Sequence, residues 1–329
     1  MYLIRPATVS KMLHSRGIAL VVWLCVLGAL WMVFSVGDYL PIRGERGFAL
    51  LSANEWLPRG RGNFIAAMAV NLSLGAVLLA INRFFNILRS MTALYLTLLA
   101  VMLLSTPGLA VQLYTGPVLA LALGCALLLL FDSYGGYYRE YRVFLVMAVF
   151  SFLTATQYCF ALYIPALVIA CRQMRILNGR SAVAALLGII TPWWILFGFG
   201  FISPPDIELP HFRSLFSVLD FTGTLLLLAD TGFTVLLLIT VMALNFFTTI
   251  AYNARNRAMN GAVTVVALFT VAGMVLDFNN AVSYLPSLYF CTALQAAHYF
   301  TAHRHENSFI AILAIMLVYI VFFVCQTAI

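Results

Sequence analysis

Long apolar runs alternate with short polar gaps along almost the whole chain. A helix of about 20 apolar residues crosses the hydrocarbon core of a bilayer, so each run predicts a transmembrane helix. The runs lie at 18–36, 63–82, 90–110, 117–131, 143–156, 158–171, 182–201, 232–252, 261–276, 282–301 and 308–327. The pattern therefore predicts an all-α, polytopic transmembrane helical bundle of about 11 spans, which forms one integral membrane domain over residues 1–329.

The positive charges distinguish the two sides of this bundle. With the N-terminus inside, the outer gaps hold only five of the 18 Lys and Arg residues, namely Arg43, Arg46, Arg59, Arg61 and Arg213. All the others fall in inner gaps. Cationic loops are retained on the cytoplasmic side of a membrane. We therefore expect the N-terminus inside and the C-terminus outside.

The composition supports the same interpretation. Hydrophobic residues make up 64% of the chain and charged residues 9%, with a mean hydropathy of +1.01. A soluble globule of 329 residues would need more polar surface. The net charge of +7 comes from basic residues scattered singly among the apolar runs, which form no patch for nucleic acid. Membrane lipids with anionic head groups are the partners that this charge favours.

The stretch 211–228 is nearly long enough to be a further span. Its polar residues recur at helical spacing and leave apolar residues on the opposite face, which predicts an amphipathic helix in the membrane interface. The polar face holds Arg213, Ser217, Asp220 and Thr224, and the apolar face holds Phe212, Leu215, Phe216 and Leu219.

The predicted spans 143–156 and 158–171 are short. Either they extend into their flanks, or they form a re-entrant hairpin in which Pro165 breaks one arm. Pro192 in the span 182–201 predicts a kink, beside which Trp193 and Trp194 would fill space or anchor the helix near an interface.

The first group of candidate functional residues lies in the outer loop 37–62. Asp38 ends the first span, and Arg43, Arg46, Arg59 and Arg61 follow it. An enzyme acting on a polyprenyl-phosphate-linked sugar would need a carboxylate as base or metal ligand, and guanidinium groups that hold the phosphates. We therefore predict Asp38 as the catalytic residue and these arginines as ligand-binding residues. The alternative is a solvated loop whose charges pair with one another or with lipid phosphates.

A second group lies in the turn between the spans 261–276 and 282–301. Asp277, Asn279 and Asn280 would face the same compartment as Asp38, together with Asp206, Glu208 and Asp220. This placement predicts an outward-facing cleft lined by acids and amides, with Asp277 as a further ligand-binding residue. Asp and Asn are also ordinary turn residues, which is the alternative explanation.

A third group lies at the inner end of the span 282–301 and comprises His298, His303, Arg304, His305 and Glu306. Histidines spaced as HxH can bind zinc, but no fourth ligand follows at a recognisable spacing, so a polar turn is predicted and no metal. The six cysteines lie in or beside apolar runs without CxxC spacing. No cofactor is therefore expected.

Acids and bases are missing from the middle of the predicted spans, where ion-coupled transporters usually bury them. The sequence also contains no P-loop, no HExxH and no GxSxG motif. These absences disfavour ion-coupled transport and nucleotide-driven chemistry.

Three short segments resemble a family of uncharacterised bacterial multi-pass inner-membrane proteins. They are Arg180-Ser181 to Thr191-Pro192-Trp193-Trp194, the turn Asn253 to Arg257, and Tyr284-Leu-Pro286. The resemblance implies a location in the bacterial inner (cytoplasmic) membrane. More loosely, the long outer loop after an acid-terminated helix is similar to membrane glycosyltransferases and polysaccharide polymerases that use lipid-linked sugars. A clear paired-acid motif is missing from this loop.

Two hypotheses of function follow. The first is a protein that handles a lipid-linked anionic saccharide, by glycosyl transfer or polymerisation, in the synthesis of envelope polysaccharide. The second is a non-enzymatic membrane subunit or scaffold that binds protein partners in a cell-envelope complex. The arginine-rich outer loop favours the first hypothesis, and the lack of a recognised catalytic motif favours the second.

Overall fold

A computed structural model of the chain describes residues 14–37, 47–88, 92–136, 139–203, 207, 225–249, 253–302 and 308–328. Most of these residues are helical, and none of them lies in a β-strand. The α-helices are α1 Arg16–Val36, α2 Arg61–Phe85, α3 Leu94–Ser105, α4 Pro107–Ala110, α5 Thr115–Asp132, α6 Glu140–Thr156, α7 Tyr163–Gln173, α8 Gly179–Gly198, α9 Leu225–Thr249, α10 Ala254–Leu276, α11 Ala281–Ala302 and α12 Ser308–Ala328. The prediction of an all-α fold is confirmed.

Seven of the described helices are long and apolar enough to cross a membrane: α1, α2, α5, α8, α9, α10 and α12. Their outward faces carry large apolar side chains, such as Met32 on α1, Trp194 on α8 and Phe247 on α9, each more than two-thirds exposed. Soluble monomers rarely expose apolar patches on this scale, whereas a lipid-facing surface does. The chain thus has the architecture of a multi-pass membrane protein.

The predicted continuous span 90–110 is broken into α3 and α4. Thr106 lies outside the helical region at the break, and Pro107 is the first residue of α4. A proline disfavours helical geometry at the preceding residue and has no N–H to continue the helix. The expectation of one uninterrupted helix here is therefore wrong.

Three other helix boundaries differ from the predictions. Helix α9 begins at Leu225, seven residues before the predicted start, and therefore includes residues 225–228 of the predicted interfacial helix. Residues 208–224 lie outside the described residues, so the rest of that helix stays a prediction. Helix α6 begins at Glu140, before its predicted start, whereas α7 begins only at Tyr163, after a 3-10 turn over Tyr158–Leu162, and ends at Gln173. Pro165 lies in the first turn of α7 without breaking it. A first-turn proline is tolerated because its missing N–H would have had no partner.

Helix α11 is the central helix of the bundle, packed by α3, α5, α9 and α10. It carries several polar residues, and most of them are buried, including Ser287, Gln295 and His298. A helix that is surrounded by protein can hold such groups because neighbouring helices supply their hydrogen-bond partners.

Helix ends that lie together define two ends of the bundle. At one end, which we call the arginine end, the Phe85 and Phe131 rings lie 5.8 Å apart, the Arg255 guanidinium lies over Phe85, and the Gly135 N–H donates to the carbonyl of Met174. At the other end, the Tyr158 hydroxyl donates to Asp277. This second end is called the strap end after the segment described next.

Candidate functional site at the strap end

Residues 47–62, which we call the strap, run across the second end of the bundle. The N–H groups of Ala49 and Leu50 donate to the carbonyl of Ala155 over 2.9 and 2.8 Å, and the Phe48 N–H donates to the carbonyl of Thr156. These carbonyls have no partner within α6 because they belong to its last turn. The strap therefore caps α6 and is fixed to it.

The middle of the strap and its C-terminal part are also fixed to the bundle. Ser52 and Ala53 are buried, and a 3-10 turn spans Ala53–Glu55. Just beyond the strap, Asn63 on α2 accepts a hydrogen bond from the Leu113 N–H over 2.8 Å and donates to the carbonyl of Leu57. The strap thus has fixed attachments at both of its ends.

Aromatic rings join the strap to the bundle beneath it. The Phe48 ring lies edge-on to Tyr158 at 6.4 Å and to Trp193 at 6.2 Å between centroids. Edge-to-face pairs of this kind contribute about 0.5–1.5 kcal/mol beyond their burial. Trp193 therefore packs against the strap, in keeping with its predicted space-filling role, whereas Trp194 is 76% exposed.

Asp277 lies under this aromatic contact and is only 2% exposed. Its Oδ2 accepts hydrogen bonds from Tyr158 at 2.8 Å, Tyr284 at 3.3 Å and Asn280 at 3.2 Å. Burial raises the pKa of this carboxyl above its ordinary value, and the hydrogen bonds from Tyr158, Asn280 and Tyr284 offset part of that shift. Asp277 thus accepts hydrogen bonds from the turn before α7, from the turn before α11 and from α11 itself.

The predicted second group is brought together in part. Asp277 and Asn280 meet at the strap end, and Asn280 donates to Asp277 and to the Tyr158 hydroxyl. The side chain of Asn279, and residues Asp206, Glu208 and Asp220, lie outside the described part of the structure. Tyr158 was not expected here from the sequence, because no spacing links it to a turn more than 100 residues away.

The arginines of the first group lie at the end of the strap or outside the described residues. Arg59 and Arg61 are exposed, and neither forms an ion pair with a described residue. Asp38, Arg43 and Arg46 lie outside the described residues. Gly37 closes α1 in the left-handed conformation at a φ of 76°, which glycine adopts without strain.

One buried acceptor beside the cluster lacks a partner. Gln157 is 1% exposed, and its Oε1 forms no hydrogen bond. Buried polar atoms of native proteins nearly always have a partner, so this acceptor is an exception among the buried polar groups at the strap end.

The third group has one described member, His298, at the other end of the bundle. His298 is buried, and its Nδ1 lies 3.1 Å from Asn245 Oδ1, while Asn245 donates to Gln295 Oε1 over 2.7 Å. His303, Arg304, His305 and Glu306 lie outside the described residues. Within the described residues, no three His, Cys, Asp or Glu side chains lie close enough to hold a metal ion.

Fold alone does not identify function, since one architecture supports many activities. Comparison of the chain with protein-family models, curated proteins and solved structures finds no match.

Proposed function

We propose that the chain crosses a bacterial cytoplasmic membrane eleven times. The seven long apolar helices supply seven crossings. The other four are α3 continued by α4, then α6, α7 with the 3-10 turn Tyr158–Leu162 before it, and α11. Short or polar crossings are tolerated where protein surrounds them, because their backbone and polar groups then find partners other than lipid. The burial of α3 and α11 supports this assignment.

The orientation that we propose places the arginine end in the cytoplasm and the strap end outside. Among the described residues, the strap end holds Arg59 and Arg61, whereas the helix ends at the other side hold Arg16, Arg83, Arg139, Arg142, Arg172, Arg175, Arg180, Arg255 and Arg257. The positive-inside rule favours this orientation, with the N-terminus inside and the C-terminus outside.

At the strap end, we propose that the protein binds a lipid-linked anionic saccharide for glycosyl transfer or polymerisation. The observation that carries this proposal is the fixed strap. Hydrogen bonds to Ala155 and Thr156 and the contact of Phe48 with Tyr158 attach one end, so that Arg59 and Arg61 are presented from a defined platform. Because the backbone of the strap is already fixed, less loop entropy is lost when Arg59 and Arg61 bind a phosphate.

The roles follow from the chemistry of each group. Arg59 and Arg61, with Arg43 and Arg46, would hold the phosphates, and Asp38 would act as the base or as a metal ligand. Asp277 has its carboxylate occupied by three donors, so we assign it a positioning role through Tyr158.

Binding of a polyprenyl phosphate to the purified protein in nanodiscs tests this proposal. Replacing Arg59 and Arg61 together by Ala should weaken binding at least about 10-fold, the loss expected when a charge-assisted hydrogen bond is removed. Replacing Arg255 and Arg257, two exposed arginines of the opposite end, is the matched control and should leave binding unchanged. If both double variants lost the same binding affinity, the loss would reflect the net charge of the protein, and this would contradict a binding site at the strap.

Catalysis is tested separately at Asp38. Asp38→Asn should abolish transfer from the lipid-linked sugar while the protein still binds polyprenyl phosphate. If Asp38→Asn kept full transfer activity, Asp38 would have no role in catalysis, and the proposal for binding would be unaffected.

The non-enzymatic alternative is favoured by one observation. An enzyme of this kind needs an acid that its substrate can reach, and Asp277 is buried. Among the described residues of the strap end, the exposed acid is Glu55. Native mass spectrometry of gently purified protein distinguishes the two functions. A stoichiometric polyprenyl-phosphate species supports the saccharide function, and a stoichiometric protein subunit without lipid supports a scaffold in an envelope complex.

A further inference from the structure

A second buried carboxylate, Asp230, lies inside the helical bundle. It is the sixth residue of α9 and has no exposed surface. At a rise of about 1.5 Å per residue, it lies roughly 8 Å along the helix from Leu225. The sequence prediction began this span at 232 and so left Asp230 in a loop. The expectation from the sequence was that no acid lies near the middle of a predicted span, and the earlier start of α9 adds a buried acid in the second turn of that helix.

Side chains from three helices meet around Asp230. Its Oδ2 accepts hydrogen bonds from Ser105 at the end of α3, at 3.2 Å, and from the hydroxyl of Tyr289 on α11. One turn along α9, Thr234 bonds to the backbone carbonyl of Asp230 at 2.8 Å, and its hydroxyl lies 2.9 Å from the hydroxyl of Tyr319 on α12. These contacts give Asp230 a small set of defined polar partners within an apolar bundle.

The other carboxylate oxygen of Asp230 is buried and has no hydrogen-bond partner. The titratable groups facing this site are the phenols of Tyr289 and Tyr319, and no Lys, Arg or His among the described residues pairs with it. Burial without a counter-ion favours the neutral, protonated carboxyl, and the hydrogen bonds from Ser105 and Tyr289 oppose this effect only in part.

The break between α3 and α4 adds to this effect. Helix α3 ends at Ser105, whose hydroxyl oxygen also lies 2.7 Å from the carbonyl oxygen of Met102, so that its single hydrogen is shared between this carbonyl and Asp230. The C-terminal end of a helix carries a partial negative charge, which repels a carboxylate and favours its protonated form. In transporters with discontinuous helices, the C-terminal ends of the half-helices coordinate ions or protons.

We propose that Asp230 is a proton-binding site within the bundle, which holds its proton while α3, α9 and α11 are packed as they are here and releases it when these helices separate and admit water. A proton fits this site without any cavity, because it adds no volume between Asp230, Ser105 and Tyr289. Such a site would couple a rearrangement of the central helices to proton uptake. The proposal does not depend on the saccharide function at the strap end.

Infrared spectroscopy of the protein in liposomes at neutral pH tests the proposal. A protonated carboxylic acid has its own C=O stretching band, which shifts when H₂O is exchanged for D₂O. We expect a band equivalent to one carboxyl group that is lost in Asp230→Asn and retained in Asp132→Asn, since Asp132 is half-exposed and paired with Arg139 and Arg142. Tyr289→Phe should shift the band, because it removes a hydrogen bond to Asp230.

Two further measurements keep the test decisive. Asp230→Glu retains a carboxyl and should show a displaced band, which separates loss of the proton site from failure to fold. Identical spectra for the wild type and Asp230→Asn would overturn the proposal. So would a band that disappears on adding Na⁺ at constant pH, since this would show that the site takes a metal cation.

Discussion

The Tyr158 hydroxyl donates a 2.8 Å hydrogen bond to Asp277 across 119 positions of sequence. This bond joins the turn between α6 and α7 to the turn between α10 and α11. Because the Tyr158 ring also contacts Phe48, the same side chain connects the strap to a buried acid. The position of the strap therefore depends on a residue that belongs to none of the three groups predicted from the sequence.

Tyr158→Phe should destabilise the strap end. The change keeps the ring contact with Phe48 but removes one donor to the buried Asp277, which costs about 1–3 kcal/mol. We expect a lower melting temperature and faster tryptic cleavage after the exposed Arg59 and Arg61.

Tyr141→Phe is the matched control for this variant. Tyr141 is 62% exposed, and its hydroxyl accepts a bond from Arg142 at the other end of the bundle. Tryptic cleavage at 59 and 61 should keep its wild-type rate in the control. Equal acceleration in both variants would mean that Tyr158 does not hold the strap in particular.

The stability of the protein should fall as the pH rises through the pKa of Asp277. Burial raises this pKa above the ordinary value of 3.8. The folded state therefore holds the proton more tightly than the unfolded state, so the free energy of unfolding from this group is greatest below 3.8 and decreases until the pH exceeds the folded-state pKa.

Melting temperatures measured against pH in detergent check this sign. Subtracting the Asp277→Asn curve from the wild-type curve should leave a difference that declines with rising pH in the window starting at 3.8. A difference that instead rises with pH would show that the hydrogen bonds from Tyr158, Asn280 and Tyr284 outweigh burial.

Gly188→Ala should disrupt the packing of α6 against α8. A Cβ at Gly188 would lie 2.6 Å from the carbonyl oxygen of Phe144 and 3.0 Å from the Met147 Cβ. Because the closest contact is with backbone, the helices must separate, at a cost of about 1–3 kcal/mol. Thermal unfolding should show the loss. Gly28→Ala, in α1 with open space around it, should be neutral or stabilising. A neutral Gly188→Ala would refute the close contact.

The two ends of the bundle should react differently with an impermeant thiol reagent in intact cells. A cysteine introduced at Leu57, on the exposed part of the strap, should be labelled. One introduced at Asn178, the N-cap of α8 at the arginine end, should react only after the cells are opened. The parent chain without either substitution reports the background of the six natural cysteines. Labelling at 178 with protection at 57 would reverse the proposed orientation.

Part of the site was predictable because its residues are close in sequence. Asp277 and Asn280 are three positions apart, so a turn brings them together whatever the remainder of the chain does. The contacts of Asp277 with Tyr158 and of Phe48 with Tyr158 could not be predicted in this way. They depend on which helix ends become neighbours, and an apolar run specifies that a helix forms without specifying its neighbours.

The amino-acid sequence by itself determined the helical class and the placement of most helices, because hydrophobic length and period are local properties. Tertiary structure alone decided that Asp230 belongs to α9, that Pro107 ends one buried helix and begins another, and that α11 with its polar side chains is central. The physical reason is that a polar group in an apolar bundle is stable only where another helix supplies its hydrogen-bond partner. Ser105 and Tyr289 do this for one oxygen of Asp230, across 125 and 59 positions of sequence.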